Sequence, residues 1–150
     1  MQISPITRVD TDLEALAKKQ GLPDRAVFYL ALARVAVLVL SFPRVARLLG
    51  RSAVETPVLS LENKEAALVV AWAVQSSAKS VVWRCECLEQ ALATKWLLKQ
   101  RKISSTLYFG TFFNGVTLEA HAWVRAGNLI VVGERGYQQF TVIGIYGDQQ

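Results

Sequence analysis

Two side chains in this 150-residue sequence have the chemistry of a nucleophile and its base: the thiol of Cys87 and the imidazole of His121, the only histidine. Cys87 opens the run Cys87-Leu88-Glu89-Gln90-Ala91-Leu92-Ala93, which predicts a helix from about Cys87 to Lys99. A thiol on the first turn of a helix faces unpaired backbone N–H groups and the positive end of the helix dipole, which favour its thiolate. The same N–H groups suit an oxyanion formed in acyl transfer. Free cysteine is also a common small core residue, so Cys87 needs a partner before it means anything.

His121 stands in Ala120-His121-Ala122-Trp123-Val124, within a strand predicted over Leu118–Ala126. Alternation puts Glu119, His121, Trp123 and Arg125 on one face. A lone histidine is more often a structural residue than a base, but a sole histidine downstream of a helix-opening cysteine fits a Cys–His pair. A third group must orient the ring. If Gly127-Asn128 forms a two-residue turn, Ala126 pairs with Leu129 and position 121 faces Glu134. A three-residue turn puts Gly133 there instead, and Glu119 is a rival on the same strand.

The elements that position these groups read as helices followed by strands. Thr11 and Glu14 form a capping box for a short helix that Gly21 and Pro23 stop, and Asp24 is an N-cap for a longer apolar helix through Leu40. Pro43 suits the first turn of a brief helix ended by Gly50, residues 51–59 read as a loop, and Ser60 caps a helix reaching Ala78. The helix from Cys87 is apolar nearly all round, the pattern of an enclosed helix, with Glu89, Lys95 and Lys99 leaving by one side. Beyond Ser104 the period becomes that of strands, at 105–113, 118–126, 129–133 and 138–146, with turn signals at Asn114-Gly115 and Gly127-Asn128. Helices first and an antiparallel meander afterwards make an α+β domain.

Composition narrows the function classes. The hydrophobic fraction of 52% with 19% charged residues is that of a globular chain. The net charge of +5 is spread along the sequence, with no basic run interleaved with aromatics, so nucleic acid is set aside. Cys85 and Cys87 are separated by one residue, a spacing at which a disulfide is strained, and with one histidine there is no zinc set. The opening MQISPITRVDTD lacks the order of a signal peptide, and the stretch Val27–Leu40 is short for a span and carries Arg34. A cytoplasmic, reducing location follows as an expectation, with peripheral membrane contact a lesser option.

The run from Cys87 to Ala93, Leu97-Leu98 closing that helix, Ala120-His121-Ala122-Trp123-Val124 downstream and Phe140-Thr141-Val142 beyond it resemble the transglutaminase-like leader peptidases of lasso-peptide biosynthesis. The resemblance covers residues 69–146 well and extends more loosely to the apolar helix and Phe42-Pro43-Arg44. It implies a papain- or transglutaminase-like core over residues 61–150, with the nucleophile helix on an antiparallel sheet, behind a helical region over residues 1–60. It implies Cys87 as nucleophile, His121 as base and no cofactor or metal. The substrate would be a ribosomally made precursor peptide, captured by a separate leader-recognition protein, with an ATP-dependent macrocyclase acting on the freed core. The family places an Asp about a dozen residues after its His, where this sequence reads Val131-Val132-Gly133-Glu134-Arg135. Glu134 is the carboxylate nearest that place. Acyl transfer to an amine, or a non-catalytic peptide-binding scaffold, are the competing readings.

Overall fold

The structure, a computed structural model, describes residues 5–58 and 63–148. Five helices, α1 (Pro5–Lys19), α2 (Leu22–Val39), α3 (Phe42–Leu49), α4 (Lys64–Ser80) and α5 (Cys87–Gln100), accompany the strands β1 (Arg51–Ser52), β2 (Thr106–Phe113), β3 (Leu118–Ala126), β4 (Leu129–Val132) and β5 (Thr141–Gly147). All the strand pairs are antiparallel, in the order β1-β5-β2-β3-β4. The α+β class and the helix-on-sheet core follow the expectation.

α5 is the centre of the molecule. Leu92, Leu97 and Leu98 are fully buried against Val70 and Val74 of α4, Leu30 of α2, and Leu107 and Val124 of the sheet. Each such side chain contributes about 1.5–3 kcal/mol through burial. α2 runs antiparallel to α5: Tyr29 lies against Trp96 with ring centroids 5.8 Å apart, and Arg34 reaches Glu89 at 2.9 Å. The C-terminal end of α2 therefore flanks the first turn of α5.

The charges of α5 do not leave by one side. Glu89 and Lys95 are only 1% and 3% exposed. Glu89 is held by Arg34, and Lys95 donates to the Ser105 carbonyl at 2.8 Å and pairs with Asp148 at 3.2 Å. Partners remote in sequence make these burials tolerable, since a buried charge needs a counter-charge and hydrogen bonds.

Several local expectations are corrected. α1 starts at Pro5, a residue suited to a first helical turn, so Thr11 and Glu14 lie inside it and Glu14 pairs with Lys18 at 2.6 Å. Gly21, in the left-handed conformation at φ 67°, separates α1 from α2, and Asp24 falls in the first turn rather than at the cap. Ser60 lies outside the described residues, and α4 follows Asn63. The loop after Gly50 contains β1, which pairs with Gly147 and Tyr146. The strands are not a simple meander: β5 returns past β3 and β4 to pair with the far edge of β2.

Candidate active site

No side chain caps α5; the carboxylate of Glu86 pairs with Arg84 at 2.7 Å instead. The first N–H groups of the helix are thus free of a side-chain cap, and the nearby backbone N–H groups of Ala122, Leu88 and Cys87 itself act on the Cys87 sulfur. These contacts favour the thiolate as expected. Burial outweighs them, with a smaller contribution from the Glu86 charge, and the net effect holds the thiol above its ordinary value. The resting sulfur is a protonated thiol that needs a base.

Cys85 has different surroundings. Its thiol is also pushed up by burial first and then by Glu89, with Arg34 opposing, so it sits by the Arg34–Glu89 pair rather than the β3 edge. The two cysteines are separately housed and both are free.

Ala122, Val124 and Ala126 point from β3 into the core beneath α5, so His121 and Trp123 occupy the opposite face. The His121 ring lies between Trp123, stacked at 5.8 Å between centroids, and Phe140 at 5.1 Å. Trp123 is 4% exposed and stacks in turn on Tyr108 at 5.6 Å, so the imidazole rests on a fixed wall. Gly110 pairs with His121 across the ladder, and a Cβ there would meet the Phe140 Cβ at 2.9 Å. Glycine lets Phe140 close on the histidine.

The ring's polar contact is with a backbone carbonyl. His121 Nε2 lies 2.7 Å from the Gly133 oxygen. A carbonyl only accepts, so Nε2 carries the proton in this bond and Nδ1 is left as the basic nitrogen. Glu134 is exposed, and the register that nominated it is not met. The two-residue turn forms, with Ala126 opposite Leu129, but a bulge pairs Val124 with Val132, and β4 ends there. Glu119 accepts from Asn114 at 2.8 Å, in the hairpin that follows β2.

Gly133 is the residue that strand alternation did not single out. Its φ is 79°, and a Cβ would stand 2.5 Å from the Ala122 oxygen and 2.8 Å from the Trp123 Cβ. A glycine ending an apolar strand run is the signal of such a close backbone approach.

The N–H and C=O of a strand residue leave the chain on the same side; at Ala122 the oxygen faces Gly133, and the N–H is one of the backbone groups that favour the Cys87 thiolate. Gly133 in turn holds the His121 ring. The imidazole and its orienting carbonyl meet on the face of β3 turned away from the α5 core, whereas Cys87 opens α5, and among the described residues no hydrogen bond joins the sulfur to the ring.

Residues 29–144 match the model of the transglutaminase-like superfamily. The chain belongs to the transglutaminase-like superfamily. The match spans α5, β3 and the segment through Gly133, so the whole candidate site of this superfamily member lies within it. No curated protein and no solved structure matches the chain. Among the described residues, no helix of this transglutaminase-like protein is long and apolar enough to cross a membrane, and no group of His, Cys, Asp and Glu is placed to hold a metal ion.

Proposed function

We propose that this protein is a cysteine peptidase that separates leader from core in a ribosomally made lasso-peptide precursor, with Cys87 as nucleophile and His121 as base. The observation that supports the reading is a cysteine on the first turn of the core helix and a histidine on the adjoining strand whose Nε2 is held by the Gly133 carbonyl, both inside the family match. Nδ1 of His121 takes the thiol proton as sulfur attacks the scissile carbonyl, and the Cys87 N–H stabilises the oxyanion. The C–N bond breaks, the leaving amine takes the proton from His121, and a thioester to the leader remains. Water, deprotonated by His121, attacks the thioester and restores the thiol.

In this scheme the Nε2–H bond to the Gly133 oxygen persists throughout, and a carbonyl dipole replaces a carboxylate in stabilising the imidazolium. Glu134, one residue further and exposed, adds only a screened negative charge. A separate leader-recognition protein presents the precursor in the cytoplasm, and an ATP-dependent macrocyclase takes the released core.

The test is incubation with the precursor encoded beside this chain, with and without the recognition protein, read by mass. Free leader and core are expected, and an added amine should leave the leader mass unchanged. An amine adduct on the leader would make the enzyme an acyltransferase, and an intact precursor under both conditions, with a folded sample, would favour a binding scaffold.

A further inference from the structure

The sheet leaves one stretch of backbone unpaired beside the candidate base. β4 pairs with β3 only at Val124–Ala126, although β3 begins at Leu118. A glycine ends that cover. At Gly133, with φ at 79°, the chain turns off the edge and crosses the His121 face of the sheet, where Tyr137 meets Trp123 and Phe140 meets His121. One contact then fixes the direction of the backbone groups along β3. The Ala122 oxygen faces Gly133, on the β4 side, so the N–H and C=O of Ala120 and Leu118 point to that side as well. Those of His121 and Glu119 point the other way, into the ladder with Gly110 and Phe112 of β2. Among the described residues, no backbone group pairs with Leu118 or Ala120 on the open side.

Proteins blunt such an edge with lysine, proline, a bulge or a covering loop. Here it reads Leu118-Glu119-Ala120, all three residues are exposed, and its one charge is taken by Asn114. The β2–β3 register runs without a bulge to Phe113–Leu118. We propose that the open edge of β3 at Leu118–Ala120 binds the substrate peptide as an added strand, in line with His121. The row itself selects the occupant, because donors and acceptors alternating at strand spacing match the main chain of an extended peptide, whose own groups repeat at that spacing. This docking rests on the Cys87–His121 reading and adds to it how the peptide is held. The row continues into Ala122, and the edge borders both the α5 face of the sheet and the face that carries the His121 ring, so a chain paired along it runs between the two. The exposed cross-strand pair Phe113–Leu118 adds an apolar contact at the far end.

The test uses the full-length Cys87→Ala chain, which binds without cutting, and a synthetic peptide spanning the leader–core junction of the precursor encoded beside this chain. Saturation with the peptide should slow amide exchange at Leu118 and Ala120 by about tenfold or more. Peptides N-methylated at one residue each should lose affinity about tenfold at every second residue of the paired stretch, and less than about twofold at those between. Ala120→Pro in the same background removes one outward N–H where an edge strand tolerates proline, and should weaken binding about tenfold with the melt unchanged. If that variant does not fold, the N-methyl series, which leaves the protein unaltered, decides. Binding without protection at the two residues, or affinity losses without the two-residue period, would overturn the added strand. So would protection that grows with protein concentration in the absence of peptide, which would pair the edge with a second copy. A peptide that does not bind, from a precursor that the unaltered chain cleaves, would overturn the strand alone; a precursor neither bound nor cleaved would overturn the peptidase reading with it.

Discussion

His121 Nε2 lies 2.7 Å from the carbonyl oxygen of Gly133, so the main chain and not a carboxylate sets the tautomer of the candidate base. Gly133→Ala should therefore act twice. Its Cβ would stand 2.5 Å from the Ala122 oxygen at a φ of 79°, which destabilises the fold by more than ~1 kcal/mol and displaces the carbonyl. A lower melting temperature together with lost precursor cleavage is expected. Glu134→Gln, at an exposed position, should leave the melt unchanged and the cleavage rate within about twofold. A loss as large as that of His121→Ala would mean that Glu134 reaches the ring during the reaction.

The protonated resting thiol predicts a particular pH profile. Burial holds the Cys87 thiol above its ordinary value, so the iodoacetamide rate at Cys87 should climb through the alkaline range without an acidic plateau. A rate already level below pH 6 would show a preformed thiolate–imidazolium pair and contradict the assignment. The linkage sign agrees. A folded-state value above the unfolded one means that this contribution to stability is full below the unfolded value and is lost as pH rises through the folded one.

Arg34 should matter for folding despite its partial exposure. Glu89 is 1% exposed and one of its oxygens, Oε2, has no partner, so Arg34→Met would strand a buried carboxylate. A cost of about 3 kcal/mol in urea unfolding is expected, and Arg34→Met combined with Glu89→Leu should recover much of it. A cost for the double variant equal to the sum of those of Arg34→Met and Glu89→Leu alone would show that the pair is not coupled.

Lys95 ties the end of β5 to α5 through Asp148 and the Ser105 carbonyl. Lys95→Met should free this end. Faster amide exchange at β5 and lower stability, by roughly 2–4 kcal/mol, are expected. Unchanged exchange at β5 would contradict the clamp.

The site was readable in sequence where the information is local. The helix from Cys87 and the strand Leu118–Ala126 follow from periodicity and turn residues, and both bounds of that strand are as expected. The pairing of β5 with β2 was not readable, because nothing in Thr141–Gly147 distinguishes which sheet edge it joins. The burial of Glu89 and Lys95 depends on Arg34 and Asp148, which local pattern does not connect to α5. The orienting group was missed for a smaller reason. The turn at Gly127-Asn128 is the expected one, but the bulge beside Val124 and the end of β4 at Val132 bring a carbonyl, rather than the nominated carboxylate, to the ring.

The central claim is that Cys87 attacks the precursor and carries the leader as a thioester. Acid-quenched reactions of the unaltered chain, with precursor and recognition protein, should give a fragment containing Cys87 heavier by the leader mass less one water. Cys87→Ala should show neither adduct nor cleavage while keeping its fold. Cleavage that persists in Cys87→Ala would contradict the account.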